Sequence, residues 1–172
     1  MLDLLKDAGR DVIAVGKIFD IFDGEGVTEK IKTTGNTNGI AFTKALQTRD
    51  FEGLAFVNLV DFDMLYGHRR DVAGYAAAAT EFDKFVADFI PGMREGDILM
   101  VTADHGCDPS YTKTTDHTRE YVPYLICGKG VKPGVDLGTR LCFGTIAQTI
   151  CDYLGVDAST LDGQSVLSDI LA

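Results

Sequence analysis

Residues 54–60 read LAFVNLV, a mostly apolar run, and Asp61 and Asp63 come at or just after its C-terminal end. A mostly apolar segment of this length, bounded by turn-forming residues, is typical of a β-strand buried on both faces. In residues 71–90, apolar side chains recur at spacings of three and four, which predicts an amphipathic helix with Asp71 as its N-cap. A buried strand followed by a helix indicates an α/β fold.

The rest of the chain continues this alternation of strands and helices. Three further segments have strand character, at residues 11–16, 97–102 and 121–127. Three further segments have helix character, at residues 2–9, 39–48 and 145–154. Residues 20–39 are rich in Gly, Asp, Thr and Asn without a clear period, which predicts a long loop. We therefore expect one domain over residues 1–172, with a parallel-sheet core and flanking helices.

The composition is that of a globular protein and narrows the function. The chain has 172 residues, 45% of them hydrophobic, and a formal net charge of −10. This acidic charge argues against a protein that coats nucleic acid or binds an anionic membrane, because both need a basic face. The four cysteines have no C-x-x-C spacing, and the N-terminal residues resemble neither a signal peptide nor a membrane span. We therefore expect reduced thiols in a cytoplasmic protein.

Each of the three histidines follows a nearby carboxylate. The pairs are Asp63 with His68, Asp104 with His105, and Asp116 with His117. Carboxylate oxygen and neutral imidazole nitrogen together suit a borderline divalent cation such as Mn²⁺, Zn²⁺ or Fe²⁺. Asp63 and the Asp104-His105 pair also follow predicted strands, where ligands bind in open α/β sheets. The pattern predicts a metal site, with two ions, that handles phosphate.

Lys17 follows the predicted strand at residues 11–16. It is either a point charge that binds phosphate or an ordinary surface lysine. Asp63 and His68 are five residues apart, so they would not share a helix face well, but they can converge on a turn. Cys107, close to the Asp104-His105 pair, is either a further ligand or a small buried apolar residue.

The basic pair Arg69-Arg70 directly follows His68. It either binds a substrate phosphate or balances the charges of Asp61 and Asp71. Both interpretations remain open from the sequence.

Several motifs together resemble one known family. They are GKIFDIFDGEGVTE at 16–29, FVNLVDFD at 56–63, GHRRD at 67–71, TADHG at 102–106 and TDHTREY at 115–121. The metal motifs resemble those of the alkaline-phosphatase superfamily. The residues in and around these motifs resemble the phosphopentomutase family within it. The resemblance extends over nearly the whole chain and implies an alkaline-phosphatase-like fold.

The resemblance implies a site with two Mn²⁺ ions. It implies that Asp63, His68 and His117 hold one ion. It implies that Asp104 and His105 help to hold the other, together with an aspartate and a nucleophilic threonine from an N-terminal portion. Lys17 is implied near the substrate phosphate. The implied activity is the transfer of phosphate between C1 and C5 of ribose or deoxyribose, so the implied partners are small pentose phosphates.

Members of the phosphopentomutase family are more than twice as long as this chain. The chain therefore resembles their C-terminal part, without the N-terminal core portion and the cap domain, and no catalytic nucleophile is matched in it. We expect the isolated chain to be inactive and to associate with the missing half, or with itself, through exposed core surface. Two alternatives remain: a metal-dependent phosphohydrolase of the same superfamily, and a non-catalytic metal-binding fragment.

Overall fold

The computed structural model describes residues 1–171 and divides the chain into two compact units. The first unit contains Met1–Lys32, Thr48–Val57 and the chain from Gly130 onward, and the second unit contains Thr33–Gln47 and Asn58–Lys129. The elements in chain order are α1 Leu2–Asp7, β1 Asp11–Val15, α2 Ile18–Ile21, β2 Glu29–Ile31, α3 Asn36–Leu46, β3 Gly53–Val57, a π-helical segment Phe62–Gly67, α4 Val72–Phe89, a 3₁₀ turn Ile90–Gly92, β4 Ile98–Thr102, β5 Tyr124–Gly128, α5 Gly144–Tyr153 and α6 Leu167–Ile170.

The first unit is built on a parallel three-stranded sheet in the order β2-β1-β3. The central strand β1 is buried from Val12 to Val15, as expected for a parallel strand covered on both faces. Leu5 of α1 and Cys151 of α5 are wholly buried in the same core. Burial of a side chain such as Leu5 contributes about 1.5–3 kcal/mol.

The second unit contains α3, α4 and an antiparallel pair formed by β4 and β5. The side chain of Asp71 accepts a hydrogen bond from the backbone N–H of Gly74 at 2.8 Å, so the predicted N-cap of α4 is confirmed. Gln47, at the end of α3, donates to the carbonyl of Phe89 at 2.7 Å and joins α3 to the C-terminal end of α4. These contacts form the frame that carries the residues of the candidate site.

The predicted α/β class, with a parallel sheet and flanking helices, is confirmed. The expectation of one long loop over residues 20–39 is wrong, because β2 and the first turn of α3 lie within it. β2 has only three residues and is a strand because it pairs with β1. This pairing could not be predicted from the spacing of apolar residues within the segment. β5 pairs antiparallel with β4, so the strands after α4 do not extend the parallel sheet of the first unit.

β3 and β5 depart most from their predicted bounds, each for a local reason. β3 ends at Val57, opposite the last residue of its partner β1, after which Gly16 turns the chain with a φ of 83°. β5 begins at Tyr124, directly after Pro123, which has no backbone N–H to donate to a neighbouring strand.

Among residues 1–171, none of the helices combines the length and the apolar character that crossing a bilayer would require.

Candidate metal centre

A π-helical turn brings Asp63 and His68 together. The backbone N–H of His68 donates to the carbonyl of Asp63 at 3.0 Å, a bond that spans five residues. Such a turn places residues five apart one above the other, and π-turns are frequent at functional sites. Nε2 of His68 therefore lies 3.3 Å from Oδ1 of Asp63.

His117 completes a group of three around the same carboxylate oxygen. Its Nε2 lies 3.4 Å from Oδ1 of Asp63. One ligand atom from each of Asp63, His68 and His117 lies within 4.8 Å of the other two, so the group can hold a metal ion. One carboxylate oxygen and two imidazole nitrogens form a donor set that suits a borderline divalent cation. The residues present thus fit the metal that the sequence predicts.

The orientation of the His68 ring is set by the backbone of a distant loop. Nδ1 of His68 lies 2.6 Å from the carbonyl oxygen of Thr115, and a proton on Nδ1 donates to that oxygen. The lone pair of Nε2 then faces Asp63. Metal-binding histidines commonly bond to a carbonyl or carboxylate in this way, because the bond selects the tautomer in which the other nitrogen is a ligand.

His117 is held by its neighbours in the chain and by a second imidazole. Its backbone N–H donates to Oδ1 of Asp116 at 2.8 Å, and this hydrogen bond lowers the pKa of Asp116 below its usual range. The rings of His105 and His117 stack with their centroids 3.6 Å apart. The structure therefore brings His105 to the edge of the group of three.

Asp104 and His105 are adjacent but complete no group of three ligands among residues 1–171. Nε2 of His105 lies 3.6 Å from Oδ1 of Asp104, and that carboxylate is largely exposed. These two residues can supply one oxygen and one nitrogen to a metal ion whose other ligands come from elsewhere. Their predicted role in a second metal site stays a prediction.

Cys107 contacts the site but is outside the group of possible ligands. Its Sγ lies 3.9 Å from Oδ1 of Asp63. Burial, together with the charge of Asp63, raises the pKa of the Cys107 thiol above its usual range. Its position outside the group of three favours the interpretation as a small, partly buried apolar residue.

Asp61 has a structural partner that the sequence did not indicate. Its Oδ2 accepts a hydrogen bond from the backbone N–H of Asn36 at 2.6 Å, and its own N–H donates to Oδ1 of Asn36 at 2.9 Å. This reciprocal pair joins the first residue of α3 to the start of the π-helical segment. An open groove of about 510 Å³ lies beside it, lined by Thr34, Gly35, Asn36, Thr37, Asn38, Ala41 and Asp61.

Lys17 lies in the first unit, at the N-cap of α2 directly after Gly16, and is exposed. The group of three that could hold a metal ion lies in the second unit. The predicted part of Lys17 in phosphate binding stays a prediction.

Residues 5–158 match the model of the metalloenzyme superfamily, and the chain belongs to that superfamily. This membership agrees with the alkaline-phosphatase-like fold and the metal site that the sequence motifs indicate.

Within the superfamily, the chain is similar to proteins named phosphopentomutase. It is 52% identical to one from Acetivibrio thermocellus and 53% identical to one from Lachnoclostridium phytofermentans, in each case over 171 residues and 99% of this chain. A phosphopentomutase from Desulfitobacterium hafniense is 48% identical over the same length. The match covers 43–44% of these relatives, so the chain spans less than half of their length. The resemblance drawn from the motifs is confirmed, as is its partial extent.

Proposed function

We propose that this chain is the metal-binding C-terminal part of a phosphopentomutase. The whole protein would interconvert the 1-phosphate and the 5-phosphate of ribose or deoxyribose. The observation that carries the proposal is the convergence of His68 Nε2 and His117 Nε2 on Oδ1 of Asp63, at 3.3 and 3.4 Å. Similarity of about 50% to proteins named phosphopentomutase supports the substrate class.

The proposed cofactor is Mn²⁺, with two ions in a complete site. Asp63, His68 and His117 would hold one ion, and Asp104 with His105 would provide part of the second site. A mixed set of carboxylate and imidazole donors suits this cation. A bound divalent cation supplies positive charge that polarises a phosphoryl oxygen and offsets the phosphate charge.

The side chains of this chain would bind and orient, while the nucleophile would come from another part of the protein. The Thr115 carbonyl, by accepting from Nδ1 of His68, keeps Nε2 of that ring available as a ligand. Lys17 would bind a phosphate oxygen through its ammonium group. Because no nucleophilic threonine is matched in residues 1–172, we propose that the chain alone does not turn over ribose 1-phosphate.

The proposed partners are pentose phosphates and the remaining part of the enzyme, and the proposed location is the cytoplasm. The four cysteines have no C-x-x-C spacing, which favours reduced thiols in a reducing compartment. Nucleic acid and membrane surfaces are not proposed as partners, given the net charge of −10.

A titration of the 172-residue chain with Mn²⁺, followed by electron paramagnetic resonance, tests the metal assignment. We expect saturable binding that is lost when His68→Ala and His117→Ala are combined. Glu25→Gln, at an exposed carboxylate of the first unit, is the control and should leave binding unchanged. Binding that survives the double histidine variant would show that other residues hold the ion.

An activity assay separates the mutase from its alternatives. The chain with excess Mn²⁺ and ribose 1-phosphate should give no ribose 5-phosphate. Turnover by the pure chain would place a nucleophile inside it and contradict the proposal. Hydrolysis of a generic phosphate ester, without isomerisation of the pentose phosphate, would favour the phosphohydrolase.

A further inference from the structure

Arg70, two residues after His68, directs its side chain at the backbone of a loop. Its guanidinium donates four hydrogen bonds to three carbonyl oxygens. Nη1 donates to Asp108 at 3.0 Å, Nε and Nη2 donate to Thr114 at 2.9 and 2.5 Å, and Nη2 also donates to Asp116 at 2.5 Å. A guanidinium has five N–H donors, so four of them are engaged. Little of the group remains to bind a substrate phosphate.

The backbone of Arg70 is fixed in a conformation that non-glycine residues seldom adopt. Its φ is 55°, in the left-handed region, and such residues persist where the surrounding structure holds them. On one side, the N–H of Arg70 donates to the carbonyl of Gly67 at 3.1 Å. On the other side, Asp71 caps α4. The backbone of Arg70 is therefore held between the π-turn and the start of α4.

The loop that Arg70 contacts has a closed base and an otherwise irregular course. Gly106 and Thr118 form an antiparallel bridge, with the N–H of Thr118 donating to the carbonyl of Gly106 at 3.1 Å. Between them, residues 107–117 contain neither helix nor strand. The side-chain bonds of Thr114 and Asp116 reach only the next residues of the same loop. The carbonyls of Thr114 and Asp116 are held from outside the loop by Arg70.

Three consecutive carbonyls of this loop face the turn that contains His68 and Arg70. Those of Thr114 and Asp116 accept from Arg70, and that of Thr115 accepts from His68. The next residue is His117, whose Nε2 reaches Asp63. The position of the three carbonyls thus decides both the orientation of the His68 ring and the place of His117.

We propose that Arg70 is the positioning residue of the metal centre. By holding the carbonyls of Thr114 and Asp116, its guanidinium sets the loop so that His117 meets Asp63 and the Thr115 carbonyl orients His68. The effect on metal affinity rests on the proposed function, whereas the effect on the loop does not.

Hydrogen exchange of the metal-free 172-residue chain tests the loop directly. In Arg70→Lys, which keeps the charge but loses the planar fork of donors, peptides covering residues 108–117 should exchange faster, and peptides covering α4 should not. Arg69→Lys, at the exposed neighbouring residue, is the matched control and should leave both regions unchanged. Exchange of residues 108–117 that is identical in Arg70→Lys and in the unmutated chain would overturn the proposal.

Titration with Mn²⁺ tests the consequence for the site. Arg70→Lys should weaken binding about 10–100-fold, the range found when partners of metal ligands are removed, and Arg69→Lys should not. Combined with His117→Ala, Arg70→Lys should cause a smaller further loss than it causes alone, because part of its effect acts through His117. A combined loss equal to the product of the two single losses would overturn the proposal.

Two further measurements separate the remaining outcomes. If Arg70→Lys does not fold, as judged by circular dichroism, Arg70→Asn replaces it, since asparagine tolerates a positive φ and lacks the fork. Inorganic phosphate binding by the metal-free chain should be unchanged in either variant, and a loss of phosphate binding without faster loop exchange would make Arg70 a phosphate ligand instead. If the unmutated chain binds no Mn²⁺, the proposed function fails, and hydrogen exchange alone decides the role of Arg70.

Discussion

Oδ1 of Asp63 lies 3.3 Å from Nε2 of His68 because a π-turn separates the two residues. In an α-helix, with 3.6 residues per turn, residues five apart point about 140° away from each other. The wider π-turn reduces that offset, since its hydrogen bond links the carbonyl of Asp63 to the N–H of His68. A small change in backbone winding thereby brings together two side chains that would otherwise diverge, so that both could bind one metal ion.

Gly67→Ala should disturb this turn. A Cβ at Gly67 would collide with Sγ of Cys107 and lie 2.9 Å from the carbonyl oxygen of Phe62. We expect a loss of about 1–3 kcal/mol in the free energy of unfolding, as for overpacking in a core, and weaker Mn²⁺ binding. Urea denaturation and metal titration measure the two effects.

Gly130→Ala is the matched control for that substitution, because a Cβ there meets nothing within 4 Å. Its stability should equal that of the unmutated chain or exceed it slightly. Adding Cys107→Ala to Gly67→Ala removes the colliding sulfur and should restore part of the lost stability. A Gly67→Ala chain as stable as the control would show that the turn has room for a side chain.

Asp63→Asn should lower metal affinity and Asp61→Ala should lower stability, although the two residues are only two apart. Asp63→Asn removes the only carboxylate of the group of three, so Mn²⁺ affinity should fall by more than about 10-fold with little change in stability. Asp61→Ala removes the acceptor for the Asn36 N–H at the start of α3, so stability should fall by about 1 kcal/mol with metal affinity retained. Equal metal affinities in the two variants would contradict this division.

Lys17→Ala should weaken phosphate handling once the chain is completed by the N-terminal part of a phosphopentomutase. Loss of one charge-assisted hydrogen bond of about 1.5–3 kcal/mol corresponds to a loss on the order of tenfold or more in sugar-phosphate binding or turnover. Metal binding should survive, because a protonated lysine offers no lone pair. Lys32→Ala, at another exposed lysine of the first unit, is the control. Kinetics of Lys17→Ala that match this control would make Lys17 an ordinary surface residue.

The pH dependence of stability should include a contribution from Glu29. Nη1 and Nη2 of Arg49 donate to its carboxylate, at 2.8 and 2.7 Å, and these hydrogen bonds lower the pKa of Glu29 below its usual range. A lowered pKa stabilises the fold above the ordinary pKa of glutamate, and that contribution is lost as the pH falls through the lowered value. Glu29→Gln should therefore reduce the melting temperature near neutral pH and should have no such effect in strong acid.

The size of this effect is limited because the pair is partly exposed. The Glu29 side chain is 39% exposed and that of Arg49 is 42% exposed, so solvent screens their interaction. We expect a decrease of about 2 °C or less at neutral pH, measured by calorimetry from acid to neutral pH. Glu25→Gln, which changes an exposed carboxylate, should show no pH-dependent difference. A difference for Glu29→Gln that grows as the pH falls would contradict the assigned sign.

The sequence alone was sufficient to predict those elements whose structure is determined by a local pattern of residues. The apolar spacing of residues 72–89 and the capping carboxylate of Asp71 lie within one helix, so both could be predicted. The apolar run at residues 12–15 likewise predicted a buried strand, and β1 is buried there. The pairing of each histidine with a carboxylate indicated a metal site, because those residue types carry the chemistry of metal binding.

Tertiary structure alone decided what depends on residues far apart in the chain. β2 is three residues long and is a strand because β1 lies beside it. His117 meets Asp63 only because an irregular loop returns to the π-turn, and the donors that hold this loop belong to Arg70, 44 and 46 residues from Thr114 and Asp116. Backbone carbonyls leave no mark in a sequence, since every residue has one. For that reason the sequence could name candidate metal ligands, while Arg70, the residue that we propose positions them, became visible only in the folded chain.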